Sequence, residues 1–139
     1  MIVAYIDGGS RGNPGPAGFG VRIEAPGGTL LEEIHGGLGI ATNNVAEYNG
    51  LLAALQWAVD HDRPQVHIRA DSELLVKQMR GEYKVRNAGL QPLHARARLL
   101  VARLEKVIFE HVRREFNKEA DRLSNLGMDD AERQMGRRT

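Results

Sequence analysis

Residues 2–23 read Ile-Val-Ala-Tyr-Ile-Asp-Gly-Gly-Ser-Arg-Gly-Asn-Pro-Gly-Pro-Ala-Gly-Phe-Gly-Val-Arg-Ile, and their order decides what kind of domain this is. The β-prone run Ile2–Ile6 stops at Asp7-Gly8-Gly9, a turn signal. From Gly8 to Pro16 glycine and proline dominate, which predicts a loop with special backbone angles. Phe19, Val21 and Ile23 then alternate with small or polar residues, as in a half-buried strand. Pro26-Gly27-Gly28 reads as a hairpin turn, and a second alternating run, Thr29 to His35, follows it. The first three strands therefore form an antiparallel meander.

Beyond Gly36–Gly39, read as a connector, the period changes from two to that of a helix. Tyr48, Leu51, Leu52, Leu55 and Val59 fall on one helical face, in a helix beginning near Asn44 and ending before Pro64. Val66–Ala70 is a short strand that feeds Asp71. A helix over 72–79, an irregular stretch over 81–91 and a helix marked by Leu93, Ala97, Leu100 and Leu104 come next. Residues 107–112 form a last strand, and Asn117 is placed to cap a final helix to about Leu126. The order βββαβααβα predicts an α/β domain over 1–127, with a mixed five-stranded sheet and helices on its faces. Residues 128–139 are expected to be a flexible C-terminal tail, being polar with no apolar period.

The 139 residues suffice for one domain with its own core. With no cysteine, disulfides and thiolate metal sites are excluded, and any metal must be held by oxygen or imidazole. No apolar run approaches the roughly 18 residues of a membrane span. The first residues lack the basic start of a signal peptide, so a cytoplasmic location is expected. The net charge of +1 hides a split. Residues 1–76 hold 4 Lys/Arg and 9 Asp/Glu, whereas residues 77–122 hold 12 and 6. A basic half of this kind suits a polyanionic partner, and equally a set of solvated helix faces.

Four carboxylates stand where strands end or helices begin: Asp7, Glu47, Asp71 and Asp121. In an open α/β sheet those positions converge on one crevice. Grouped carboxylates repel one another, and Mg²⁺ or Mn²⁺, which prefer hard oxygen ligands, relieve that repulsion. Two such ions about 3.5–4 Å apart can hold the attacking water and the leaving oxygen of a phosphodiester. Each acid also has an ordinary reading. Asp7 before Gly-Gly serves as a turn residue, Asn44 with Glu47 forms a capping box, Asp71 caps a helix, and Asp121 is a surface acid near Arg122. The glycine-rich loop lacks the Gly-Lys-Ser/Thr of a P-loop and precedes a hairpin rather than a helix, so neither nucleotide fingerprint applies. Its backbone N–H groups, Gly8 included, can still approach a sugar-phosphate chain.

Four segments carry a family resemblance. Asp7 to Gly18 resembles the opening signature of type 1 ribonuclease H, and Thr42-Asn43-Asn44-Val45-Ala46-Glu47 its second motif. Ala70-Asp71-Ser72 resembles the third and Asn117-Lys118-Glu119-Ala120-Asp121 the fourth. The resemblance implies a ribonuclease H fold and endonucleolytic cleavage of the RNA strand of RNA/DNA hybrids, leaving 3′-hydroxyl and 5′-phosphate ends. It implies Asp7, Glu47, Asp71 and Asp121 as catalytic ligands of two Mg²⁺ or Mn²⁺ ions, with Asp7 and Asp71 bridging. It further implies that Gly8, Ser10, Gly12, Asn13, Asn43 and Asn44 meet the RNA, whose 2′-hydroxyl distinguishes it from DNA, and that Thr42 holds a DNA phosphate. Double-stranded RNA is a further expected duplex partner; a monomer without an organic cofactor or membrane is expected.

Two departures from the family stand out. The basic, Trp-rich insertion that many members carry is missing from Gly81–Gln91, which leaves Arg113 and Arg114 as alternative cations for the substrate. A histidine that many members place in a loop before the last acid has His111 as its nearest equivalent, and the pattern Phe109–Val112 sets that residue in a strand; Arg114 or Glu115 then takes over part of the loop's work. The alternative function is a non-cleaving module of the same fold that binds hybrids or double-stranded RNA. A proofreading exonuclease would need a second acid two residues after the first, where Gly9 stands.

Overall fold

The computed structural model describes residues 1–136. Its elements are β1 (Ile2–Ser10), β2 (Gly15–Glu24), β3 (Leu30–Ala41), α1 (Asn43–Asp60), β4 (Gln65–Ala70), α2 (Glu73–Met79), α3 (Gln91–Ala102), β5 (Lys106–His111) and α4 (Lys118–Gly136), with a 3₁₀ turn at Arg114–Phe116. The sheet order is β3-β2-β1-β4-β5. The β1–β2 and β2–β3 pairs are antiparallel, whereas β1–β4 and β4–β5 are parallel. The expected mixed sheet and element order are both present.

Side chains alternate across a strand, so neighbouring residues of β1 look to opposite faces. On one face Ile2, Ala4 and Ile6 join Val66 and Ile68 of β4 under Leu51, Leu55 and Ala58 of α1, all buried. On the other face α4 lies across β1, β2 and β3. It buries Ala120, Leu123, Ser124, Gly127, Met128 and Ala131. Those six positions repeat at three and four residues, a helical stripe built mostly from small side chains.

The glycines do different work from the one their sequence suggests. Strand β1 continues through Gly8, Gly9 and Ser10, so the irregular loop shrinks to residues 11–14, and β3 continues through the expected connector Gly36–Gly39. The reason is close approach. A Cβ at Gly8 would lie 2.2 Å from the Ala46 carbonyl carbon of α1, and one at Gly18 would lie 2.3 Å from the Gly127 carbonyl carbon of α4. Both helices rest directly on strand backbone, which only residues without a Cβ permit.

The tail expectation is also corrected. Residues 128–136 extend α4, because Met128 and Ala131 are buried against the sheet. Residues 137–139 lie outside the described residues.

Gly18→Ala tests the contact. Its methyl must displace α4 backbone, so chemical denaturation is expected to show a loss of about 3 kcal/mol, at the upper end of ordinary overpacking.

Candidate active site

Register brings two of the acids together. Ile6 of β1 pairs with Ala70 of β4 in parallel, so the next residues, Asp7 and Asp71, emerge side by side. Glu47 enters from the second turn of α1, which Gly8 and Gly50 admit close to β1; a Cβ at Gly50 would lie 3.0 Å from the Asp7 carbonyl oxygen. One carboxylate oxygen from each of Asp7, Glu47 and Asp71 lies within 4.8 Å of the others. Asp121, on the first turn of α4, stands outside this trio but lines the same cleft and faces Asp7.

The ordinary readings of these acids fail one by one. Helix α1 is capped by Thr42, whose hydroxyl accepts from the Val45 N–H at 3.2 Å, so Glu47 is not half of a capping box. Helix α2 is capped by Ser72, whose hydroxyl accepts from the Leu75 N–H at 3.2 Å, which releases Asp71. Asp7 sits within a strand rather than in a turn. Arg122 pairs with Glu119 and Glu33 instead of Asp121. Hydroxyl neighbours do the capping, and the carboxylates are left over.

Electrostatics records their confinement. Burial, then the charge of Asp71, pushes the Asp7 carboxyl up to about 8, with Asp121 adding to the rise and the Gly8 N–H opposing it. Burial, then Asp7 and Asp71, holds Glu47 well above the usual carboxylate range, and Arg114 offsets part of this. Glu47 Oε2 is buried without a hydrogen-bond partner. An orphaned carboxylate oxygen facing two more carboxylates, in a chain without cysteine, fits a hard divalent cation.

Of the substrate-side residues expected from the sequence, Gly8, Ser10, Asn43 and Arg114 line this cleft, whereas Gly12, Asn13, Thr42 and Asn44 lie outside its lining and Asn13 is joined to Asn43 by a hydrogen bond. The Ser10 N–H donates to Asn43 Oδ1 at 2.8 Å, and the Asn43 N–H donates to Asn13 Oδ1 at 3.0 Å. Both amide oxygens are thus engaged inside the protein, and the two Nδ2 groups remain as donors toward a ligand. Gly12 takes φ +81, the left-handed geometry that the loop requires. Asn44 is exposed beside Asn43 at the start of α1. Arg114 lines the cleft, whereas His111 ends β5 and borders a different depression with Tyr5 and Arg69.

Two polar residues belong to the site without having been singled out for it. Asn117, 1 % exposed, does not cap a helix with its side chain. Its Nδ2 donates to the Ile6 carbonyl at 2.8 Å and reaches Asp71 Oδ2 at 3.5 Å, tying α4 to the ends of β1 and β4. Ser124, also 1 % exposed, points its hydroxyl at Asp7. Only the run Asn117 to Asp121 hinted at the first, and nothing in the sequence hinted at the second.

A five-stranded mixed sheet with a carboxylate-ringed cleft at the ends of β1 and β4 defines a reverse-transcriptase-like domain, and the family model described as "Reverse transcriptase-like" matches residues 5–127. The bifunctional protein Rv2228c of Mycobacterium tuberculosis is 44% identical over 94% of this chain and 36% of its own length. The solved N-terminal RNase H domain of that protein superposes with a TM-score of 0.92 at 42% identity, covering 96% of this chain and 97% of that one. Ribonuclease HI of Halobacterium salinarum is 41% identical over 94% of this chain and 65% of its own length. LC11-RNase H1 from compost, solved in complex with an RNA/DNA hybrid, gives a TM-score of 0.88 at 41% identity, covering 94% of this chain and 99% of that one. The chain belongs to the type 1 ribonuclease H family, whose members are metal-dependent. It spans between about a third and two thirds of the length of the first curated relatives.

The raised acids set a pH dependence. A carboxyl that holds its proton to about pH 8 when folded, but releases it near 4 when unfolded, contributes stability below 4 that is lost as pH rises through 8. In EDTA the melting temperature is therefore expected to fall between pH 5 and 8, and saturating Mn²⁺ or Asp7→Asn is expected to flatten that fall. Thermal denaturation across this range, with and without metal, measures it.

Proposed function

We propose that the chain is an endoribonuclease that hydrolyses the RNA strand of RNA/DNA hybrids and leaves 3′-hydroxyl and 5′-phosphate ends. The observation that carries the reading is the trio Asp7, Glu47 and Asp71, with oxygens within 4.8 Å and one buried oxygen unpartnered. The hybrid as substrate is supported by the complex of LC11-RNase H1 with RNA/DNA hybrid. Mg²⁺ or Mn²⁺, two ions in all, are the proposed metals, held by Asp7, Glu47, Asp71 and Asp121. When bound, they supply charge neutralisation and lower the pKa of a water at the scissile phosphate.

The protein's own residues do the rest. Asp7 and Asp71, fixed by adjacent strands, present a carboxylate pair whose spacing the β1–β4 register sets. Glu47 closes the third side from α1. Asn13 and Asn43 offer amide donors beside the cleft, placed to recognise sugar hydroxyls of the RNA strand. The Gly12 backbone and the dipole of the α1 N-terminus at Thr42–Asn44 are offered to the phosphate chain, the Ser10 and Asn43 N–H groups being engaged within the protein. Arg114 brings a cation to the rim, where a substrate phosphate passes.

Cleavage of an end-labelled RNA/DNA hybrid with Mg²⁺, Mn²⁺ or EDTA tests the reading. Internal cuts in the RNA strand are expected with either metal and not with EDTA. Asp71→Asn is expected to lower the rate at least about 100-fold while the hybrid still binds. Arg114→Ala is expected to keep the metal dependence and to raise KM about tenfold, the worth of one charge-assisted hydrogen bond. Binding of the hybrid without cuts in any metal would make the chain a hybrid-holding module instead.

A further inference from the structure

We propose that Ser124 is a positioning residue that locks the Asp7 carboxylate in its metal-holding orientation. The proposal rests on the divalent-ion reading of the acid cluster. Ser124 lies on α4, one turn after Asp121, and is 1 % exposed. Its Oγ lies 3.2 Å from Asp7 Oδ2 and 2.9 Å from the Asp121 carbonyl oxygen.

A hydroxyl has one proton to donate, so these two acceptors compete for it. The bond back to Asp121 is what any helical serine can make. That carbonyl is served independently, since Asn125 Nδ2 donates to it at 2.9 Å. The Asp7 carboxylate offers the stronger, charge-assisted bond once it is ionised. Ser124 is therefore free to spend its proton on Asp7.

Packing keeps it there. At Gly20 of β2 a Cβ would lie 2.4 Å from the Ser124 backbone nitrogen, so α4 already rests on the strand and its position relative to β1 is fixed. The hydroxyl thus projects from a rigid helix onto a carboxylate on a rigid strand. A carboxyl group with one oxygen held cannot swing freely about its Cβ–Cγ bond, and the restraint tightens to a charge-assisted bond when Asp7 is ionised. Outer hydrogen bonds of this kind are worth about 10- to 100-fold in metal affinity.

The test is Mn²⁺ binding to the protein without nucleic acid, read as free Mn²⁺ by electron paramagnetic resonance, with circular dichroism confirming the fold. Ser124→Ala is expected to weaken Mn²⁺ binding about tenfold, and Ser124→Cys, similar in shape but a poorer donor, is expected to fall between. In hybrid cleavage the metal concentration for half-maximal rate should shift by the same factor, with KM for the hybrid at saturating Mn²⁺ unchanged. An Mn²⁺ affinity of folded Ser124→Ala within about twofold of the unsubstituted protein would overturn the role of Ser124 and leave the metal site standing. If the alanine variant does not fold, the same comparison is read from Ser124→Cys. Absence of Mn²⁺ binding by the unsubstituted protein would overturn the metal site, and Ser124's role with it.

Discussion

Three carboxylate oxygens confined within 4.8 Å of one another repel, and the surrounding structure is what keeps them there. Left to themselves they would part or take up protons; burial and mutual repulsion raise Asp7 and Glu47 above the ordinary carboxylate range, in the direction of protonation. A fold tolerates such a cluster only when other contacts over-determine its geometry. Here that geometry comes from strand register for Asp7 and Asp71, from helix α1 for Glu47 and from α4 for Asp121. Asp7, Glu47 and Asp121 lie within regular elements, and Asp71 is the first residue past β4, in keeping with a site that needs fixed spacing.

Backbone contact makes the confinement possible. Gly8 lets α1 settle onto β1 from one face, and Gly18, Gly20 and Gly127 let α4 settle onto β2 from the other. The two helices then reach the same end of the sheet from opposite sides. Asn117 closes the arrangement, bonding the Ile6 carbonyl one residue before Asp7 and approaching Asp71. The helix that supplies Asp121 is thereby registered against both strands that supply the other acids. Stability and function meet at these glycines, since a methyl group there would push apart the elements that bring the acids together.

Much of this was legible in the residues themselves. The switch from a period of two to a helical period after residue 43 gave the element order, and the placing of acids at strand ends and helix starts gave the cluster. What stayed hidden has physical causes. Glycine in a sequence signals freedom from a Cβ, but not whether that freedom serves a turn or a close approach, so Gly8-Gly9 and Gly36–Gly39 read as breaks rather than strand. The end of α4 read as a tail because, past Gly127, only Met128 and Ala131 carry its buried stripe among polar residues, too few to show a helical period. A capping role stayed open for Glu47 and Asp71 beside the metal-ligand reading, although Thr42 and Ser72 fill it, because several polar residues crowd each helix start. Asn117 and Ser124 act on residues 111 and 117 positions away, a relation no local pattern contains.

The central claim is that the acids are held too close to stay ionised together until a divalent ion joins them. Calorimetric titration of the protein with Mn²⁺ near pH 7, in two buffers of different protonation enthalpy, tests it most directly. The account predicts saturable binding with protons released to the buffer, and a smaller release in Asp7→Asn. Saturable binding with no proton release would contradict it, because the carboxylates would then already be ionised side by side without the metal.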